Sequence, residues 1–277
     1  MPAVALAPAR RARRAPLSLV EQPAPSREVM GVRVHALPMA EAVRRMIGWA
    51  QRGEGRTVYP TGAHGVIEAQ DRADFRAVLN RADLIVPDGQ PVAWTVGALG
   101  LPGTERIYGP DLTLALCRAA AEAGLPIGLY GSTPETLALL QERLPQLAPG
   151  LNIACAISPP FRPLSDEEDA EYVEQIRASG ARIVFVGLGC PRQEVWCDAH
   201  RERIPAVLVA VGAAFDFHAG SLRQAPALLQ RAGLEWAFRL ATEPKRLWRR
   251  YFRIVPRFAV GAAGQVLRAR RHPAPLA

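Results

Sequence analysis

The chain has 277 residues, 49% of them hydrophobic, and a formal net charge of +8. That size excludes a peptide-like or disulfide-stapled module and supports one α/β domain of roughly 200 residues with tails. The positive balance implies an anionic partner, although Lys245 is the single lysine among 34 basic residues, so a general preference for arginine inflates the signal. Cys117, Cys155, Cys190 and Cys197 form no Cys-x-x-Cys pair and have no histidine at ligand spacing. This argues against zinc and for a reduced, cytoplasmic protein.

Residues 1–30 read as a disordered basic tail, rich in Ala, Pro and Arg, with Arg10, Arg11, Arg13 and Arg14 clustered and no apolar run long enough for a signal peptide or a membrane span. From residue 31 to 232 short apolar runs alternate with segments of helical period. The runs are Val32–His35, Thr57–Pro60, Leu84–Pro87, Ile127–Tyr130, Asn152–Ile157, Ile183–Val186 and Val207–Val211. The periodic segments are Met39–Arg52, Ile67–Arg81, Asp111–Ala123, Pro134–Leu147, Asp166–Ser179 and Pro191–Arg201. Such βαβ alternation predicts an α/β fold with a mainly parallel, Rossmann-like sheet and helices on both faces. Ligands of such sheets bind beyond the carboxyl ends of the strands, so the residues just after each run are the candidate site.

After Thr57–Pro60 comes Thr61-Gly62-Ala63-His64, where Thr61 and His64 either face a cleft or serve as a helix cap and a structural histidine. Asp88 follows the next run, either as a cap or as a site acid. Gly131-Ser132-Thr133-Pro134 places small residues before a helix-opening proline, a natural seat for a diphosphate, with Tyr130 beside it. It is neither a Walker A loop nor a Gly-x-Gly-x-x-Gly fingerprint. Gly187-Leu188-Gly189-Cys190-Pro191 again leads from strand to helix, and Gln193 in the first turn offers a donor and an acceptor suited to a sugar hydroxyl. Asp216, between Phe215 and Phe217, is a candidate acceptor for a ribose hydroxyl or an imide N–H, and His218 a less favoured base.

Residues 233–267 read as a basic amphipathic appendage. Arg239, Arg246, Arg249 and Arg250 are interleaved with Trp236, Phe238, Trp248 and Tyr251, a mixture typical of helices lying on an anionic membrane surface. Residues 268–277 read as a second loose tail.

Seven motifs in order carry a resemblance. They are Thr61-Gly62-Ala63-His64-Gly65-Val66; Ala82-Asp83-Leu84 with Asp88-Gly89; Glu105-Arg106-Ile107-Tyr108-Gly109-Pro110-Asp111-Leu112; Gly131-Ser132-Thr133-Pro134; Val186-Gly187-Leu188-Gly189-Cys190-Pro191-Arg192-Gln193-Glu194; Ala214-Phe215-Asp216-Phe217-His218-Ala219-Gly220; and Gly233-Leu234-Glu235-Trp236 continuing to Tyr251. From about Val32 to Phe252 the chain resembles the WecG/TagA/CpsF family of glycosyltransferases. The resemblance implies inverting transfer from a UDP-sugar to a polyprenyl-diphosphate-linked acceptor in bacterial cell-surface polysaccharide synthesis, without a required metal or other cofactor. The donor sugar is then of the N-acetylmannosamine or the glucose/glucuronate type. It further implies that Asp88 is the general base, that Gln193 and Arg106 line the pocket with Thr61, and that Asp216 lies near the nucleotide with Gly189 and the Gly131 turn. The basic appendage, Arg239 to Arg250, closes over the site and meets the inner face of the plasma membrane, and homo-oligomers are expected. Many members have Thr-Pro-Asn where this chain reads Pro60-Thr61-Gly62, which leaves the part played by Thr61 and the donor preference open.

Two other classes are weaker. A nucleic-acid-binding protein would account for the charge, but the basic residues gather at the chain ends without an aromatic stacking pattern. A Rossmann-type dehydrogenase or other nucleotide-binding enzyme would share the fold but needs a glycine fingerprint that is absent.

Overall fold

A computed structural model describes residues 22–271, apart from the side chains of Ala227 and Arg246. The elements run β1 (Ser26–Val29), β2 (Val32–His35), α1 (Met39–Arg52), β3 (Arg56–Thr61), α2 (Ala63–Asp71), α3 (Ala73–Asn80), β4 (Leu84–Pro87), α4 (Gln90–Ala98), α5 (Gly109–Glu122) and β5 (Ile127–Gly131). They continue α6 (Pro134–Leu147), β6 (Ile153–Ile157), α7 (Asp166–Ala178), β7 (Ile183–Gly187), α8 (Arg192–His200), β8 (Val207–Ala210), α9 (Ala214–His218), α10 (Ala227–Arg231), α11 (Glu235–Thr242) and α12 (Pro244–Arg271). Six strands form one parallel sheet in the order β4-β3-β8-β7-β5-β6.

The central strands are continuous apolar runs because both faces are covered. In β7, Ile183 and Phe185 enter one apolar cluster with α1, α5 and α6, while Val184 and Val186 enter the other, with α2, α3 and α8. β8 alternates in the same way, Val207 and Val209 against Leu208 and Ala210. The sheet is therefore the middle of a three-layer α/β fold, as the alternation of runs and helices predicts.

Four readings of the sequence are corrected. Val32–His35 is not a strand of the parallel sheet. It pairs antiparallel with Ser26–Val29 through a turn in which Met30 (φ 49) and Gly31 (φ 83) are both left-handed, as a tight hairpin requires. That hairpin removes residues 26–30 from the expected tail, and β2 seals the edge strand β4, where the Ile85 N–H donates to His35 Nδ1 at 3.0 Å. The periodic stretch Ile67–Arg81 is two helices, because Arg72 is extended (φ −132, ψ 105) between α2 and α3. Residues 268–271 are the last turn of α12 rather than a loose end; residues 22–25 lead into β1, with the Pro25 carbonyl accepting the Ala36 N–H, and 1–21 and 272–277 lie outside the described residues.

α12 is 28 residues long and docks onto the core rather than standing off it. Ile254, Phe258 and Ala262 are buried in the cluster that also holds Val29, Ile67 and Val92. Burial of a large apolar side chain contributes roughly 1.5–3 kcal/mol, so these contacts outweigh the exposed pairing of Arg253 and Arg257 with Asp71. At its far end Gln265 receives the Met30 N–H at 2.9 Å and donates to the Glu28 carbonyl at 2.7 Å. No described helix is long and apolar enough to cross a membrane.

Candidate active site

The carboxyl ends of the parallel strands bring together Thr61, Asp88, Gly131, Gly187 and Gly212 along one edge of the sheet. Two cavities open there. One, of about 810 Å³, lies against Asp88 beneath α10, α11 and α12. The other, of about 520 Å³, lies against Tyr130 and Ser132 beneath the loop after β6 and α8.

Asp88 lines the first. Its backbone N–H donates to the Thr61 carbonyl at 3.1 Å, continuing the β3–β4 ladder, and Oδ1 accepts the Gly109 N–H at 2.6 Å. Burial pushes the carboxyl up to about 6; Arg106 pulls down and Glu235 pushes up. Near neutral pH it is thus mostly ionised, yet basic enough to take a proton. Arg106 holds the surrounding wall. Its Nε donates to the Asp88 carbonyl at 2.5 Å, one terminal nitrogen reaches Gln230 Oε1 at 3.3 Å and the other pairs with Glu235, which also accepts from the Tyr108 hydroxyl at 2.9 Å. Arg106 therefore ties the Asp88 loop to α10 and α11.

Arg239 lines the same cavity. Its guanidinium lies 5.7 Å from the Phe217 ring centroid and 3.9 Å from a Glu243 oxygen, and its buried Nε has no hydrogen-bond partner. A buried guanidinium N–H left unmatched is a ready donor for an anion. His64 lines the cavity as well; burial, with Arg250 and Arg253 nearby, pushes its imidazole down to about 4, so it is neutral at pH 7. Arg249 and Arg250 border a smaller recess with His64 and Glu68. The Arg246 side chain is outside the described residues.

The second cavity is walled by an aromatic column. Tyr130 stacks on Trp196 at 4.3 Å, and Trp196 on His200 at 4.2 Å. His200 meets Asp169 at 2.8 Å, and Asp169 also pairs with Arg203 at 2.5 Å. Gly131 (φ 111) is a glycine of necessity, since a Cβ there would lie 2.7 Å from the Gly187 carbonyl group. Ser132 follows at φ 61, a left-handed conformation that only Met30 shares among the described non-glycine residues. The structure thereby presents the turn as a tight, pre-set edge of the cavity.

Several sequence-predicted residues do something other than expected. Thr61 is buried and its hydroxyl donates to the Tyr59 carbonyl at 3.1 Å, so it does not face the cleft. Gln193 is buried too. Its Nε2 donates to Glu194 Oε1 at 3.0 Å and the Ala210 carbonyl at 3.2 Å, while Oε1 accepts the Gly189 N–H at 3.1 Å. Both donors are engaged, and the side chain clamps the ends of β7 and β8 to α8. Thr133 caps α6 by accepting the Thr136 N–H at 3.2 Å. His218 meets the Pro110 carbonyl at 2.9 Å, a structural contact. Asp216 sits on α9 and lines neither cavity.

Sequence reading passed over Glu235, Glu194 and the Trp196–His200 pair. Glu235 had a signal in the Gly-Leu-Glu-Trp motif, and Trp196 and His200 stand at i, i+4 on α8. Glu194 gave none, being an acid beside a glutamine. In the fold it is buried, with Oε2 unpartnered, and burial pushes its carboxyl up to about 7.

A parallel sheet with a desolvated carboxylate and arginines at its carboxyl edge, under a helical cover, has the form of an α/β enzyme. Comparison with known proteins narrows this. Residues 27–272 match the description "Glycosyl transferase WecG/TagA/CpsF family", and the chain belongs to that family. A curated relative, the N-acetylglucosaminyldiphosphoundecaprenol N-acetyl-beta-D-mannosaminyltransferase of Bacillus spizizenii, is 36% identical over 191 residues, which cover 68% of this chain and 71% of the relative. The protein is a glycosyltransferase.

Proposed function

We propose that this enzyme moves a sugar, of the N-acetylmannosamine or the glucose/glucuronate type, from a UDP-sugar to the hydroxyl of a saccharide carried on a polyprenyl diphosphate, with inversion. The observation that carries the reading is Asp88: a half-buried, desolvated carboxylate, raised toward neutrality, on the floor of a cavity that also holds Arg106 and Arg239. The relative's acceptor, an N-acetylglucosaminyl diphosphoundecaprenol by its name, supports the same chemistry.

In the proposed step the acceptor O–H proton passes to Asp88 as the oxygen bonds to the anomeric carbon from the face opposite the diphosphate. The anomeric carbon–oxygen bond breaks and UDP leaves with the electron pair. Arg239, with an N–H unmatched in the protein, is positioned to stabilise the departing charge. The uridine is assigned to the Tyr130–Trp196 side. β4 and β5 are four places apart in the sheet, about 19 Å at roughly 4.8 Å per strand, comparable with an extended nucleoside-diphosphate sugar. Gln193 and Thr61 then act as positioning residues.

The membrane contact is assigned to the outer face of α12. Trp248, Phe252 and Val260 are 50%, 78% and 74% exposed at i, i+4 and i+12, beside Arg249 and Arg253. Such a stripe suits binding at the inner leaflet from the cytoplasmic side.

A panel of UDP-sugars, incubated with a synthetic lipid-diphosphate-sugar acceptor and followed by UDP release, tests the proposal. Acceptor-dependent release with one donor is expected; no release with any of them would defeat it.

A further inference from the structure

The Asp88 cavity is larger and more apolar than a sugar requires. From its polar floor it runs on as a groove between α4 and α12, lined by Trp94 and Ala98 on one side and by a single face of α12 on the other. That face offers Val255, Ala259, Ala263 and Val266 to the groove, beside Ile254, Phe258 and Ala262, which anchor the helix on the core. Alanines on both walls keep the groove open where larger side chains would close it. It is distinct from the exposed Trp248–Phe252–Val260 stripe, which points away from the core.

We propose that this groove holds the first isoprene repeats of the lipid-linked acceptor, so that the enzyme reads the near end of the polyprenyl chain directly. The inference rests on the polyprenyl-diphosphate acceptor proposed above. Continuity selects the occupant: the groove begins where the acceptor sugar must lie, at Asp88, and becomes apolar beyond it, between α4 and α12. Its length sets how much is read. From Ile254 to Leu267, the span of its apolar lining, the helix rises about 20 Å at 1.5 Å per residue. An extended isoprene repeat advances about 5 Å from bond lengths near 1.5 Å, so the groove takes about four repeats. Burying a five-carbon repeat in a half-open groove should tighten binding by about tenfold.

The test uses the full-length enzyme and its best UDP-sugar with soluble acceptors, the same sugar diphosphate carrying one to eight isoprene repeats, kept below micelle-forming concentration and without vesicles. The expected result is a KM for acceptor that falls about tenfold per added repeat up to about four and then levels off, with little change in kcat. Ala263→Trp, at an exposed position of the α12 face, is expected to move the break to shorter chains. Transfer at one KM for every chain length would overturn the groove while leaving the transferase assignment standing. An unchanged break in Ala263→Trp, with thermal stability intact, would also overturn it. No transfer to any acceptor would strike at the proposed reaction itself and take the groove with it.

Discussion

The two cavities on the sheet edge are closed in opposite ways. The Tyr130 cavity is finished locally, by the loop after β6 and by α8, and its ionisable groups are matched: against desolvation by burial, Arg203 and His200 hold the Asp169 carboxyl below its usual range. The Asp88 cavity is finished by helices from the last 50 or so residues; Arg106 and Glu235 are paired there, but Asp88 has no ion-pair partner, its carboxyl is raised to about 6, and the Arg239 Nε–H is without a partner. Paired charges hold a shape and favour binding. An unpaired, desolvated carboxylate is reactive, so chemistry is assigned to the first cavity and recognition to the second.

Mutations should separate these roles. The largest effect is expected from Asp88→Asn, a loss of about 10²–10⁴-fold in turnover with UDP affinity nearly unchanged by calorimetry. The same variant should gain thermal stability at pH 7–8. A carboxyl whose folded pKa lies above its unfolded value stabilises the fold at low pH and loses that contribution as pH rises through about 4 to 6, and asparagine escapes the loss. Next comes Arg106→Ala, which leaves Glu235 unpaired in a largely buried place and unties α10 and α11 from the Asp88 loop. A destabilisation of about 3 kcal/mol in denaturant titration and a clear loss of turnover are expected.

Ser132→Asp probes the other cavity. Aspartate tolerates the left-handed backbone at this position, so the fold should persist while a carboxylate repels the donor diphosphate. Affinity for UDP should fall about tenfold, with kcat at saturating donor close to normal; a kcat defect without a binding defect would break the division between the cavities. The smallest effect belongs to Glu194→Gln. Replacing a buried carboxyl raised to about 7 should raise stability by about 1–2 kcal/mol at pH 8 and leave it unchanged near pH 4, read from melting curves at the two pH values.

Much of this was legible in the sequence, and the failures have physical causes. Continuous apolar runs such as Ile183–Val186 announce strands covered on both faces, and the polar residue just past Leu84–Pro87 lines the larger cavity at the carboxyl edge of the sheet. Gln193 and Thr61 were misread because a polar residue at a strand end looks the same whether its hydrogen bonds go to a ligand or to the backbone; only the fold shows that Ala210, Gly189 and Tyr59 are their partners. α4 was passed over because Gln90–Ala98 lacks a clean apolar period: one face packs on the core while Trp94 lines the groove. The sequence reads 233–267 as an amphipathic membrane appendage without showing what its inner side meets: the Ile254–Phe258–Ala262 face packs on the core and Asp71 engages Arg253 and Arg257.

The assignment of Asp88 as base is tested most directly by the pH dependence of kcat for transfer to a lipid-diphosphate acceptor, measured from pH 5 to pH 8. The expected profile falls on its acid side through an apparent pKa of about 6, as the Asp88 carboxyl takes up a proton, and that limb disappears from the residual activity of Asp88→Asn. A rate that stays flat across this range, or an Asp88→Asn enzyme with wild-type turnover, would contradict it.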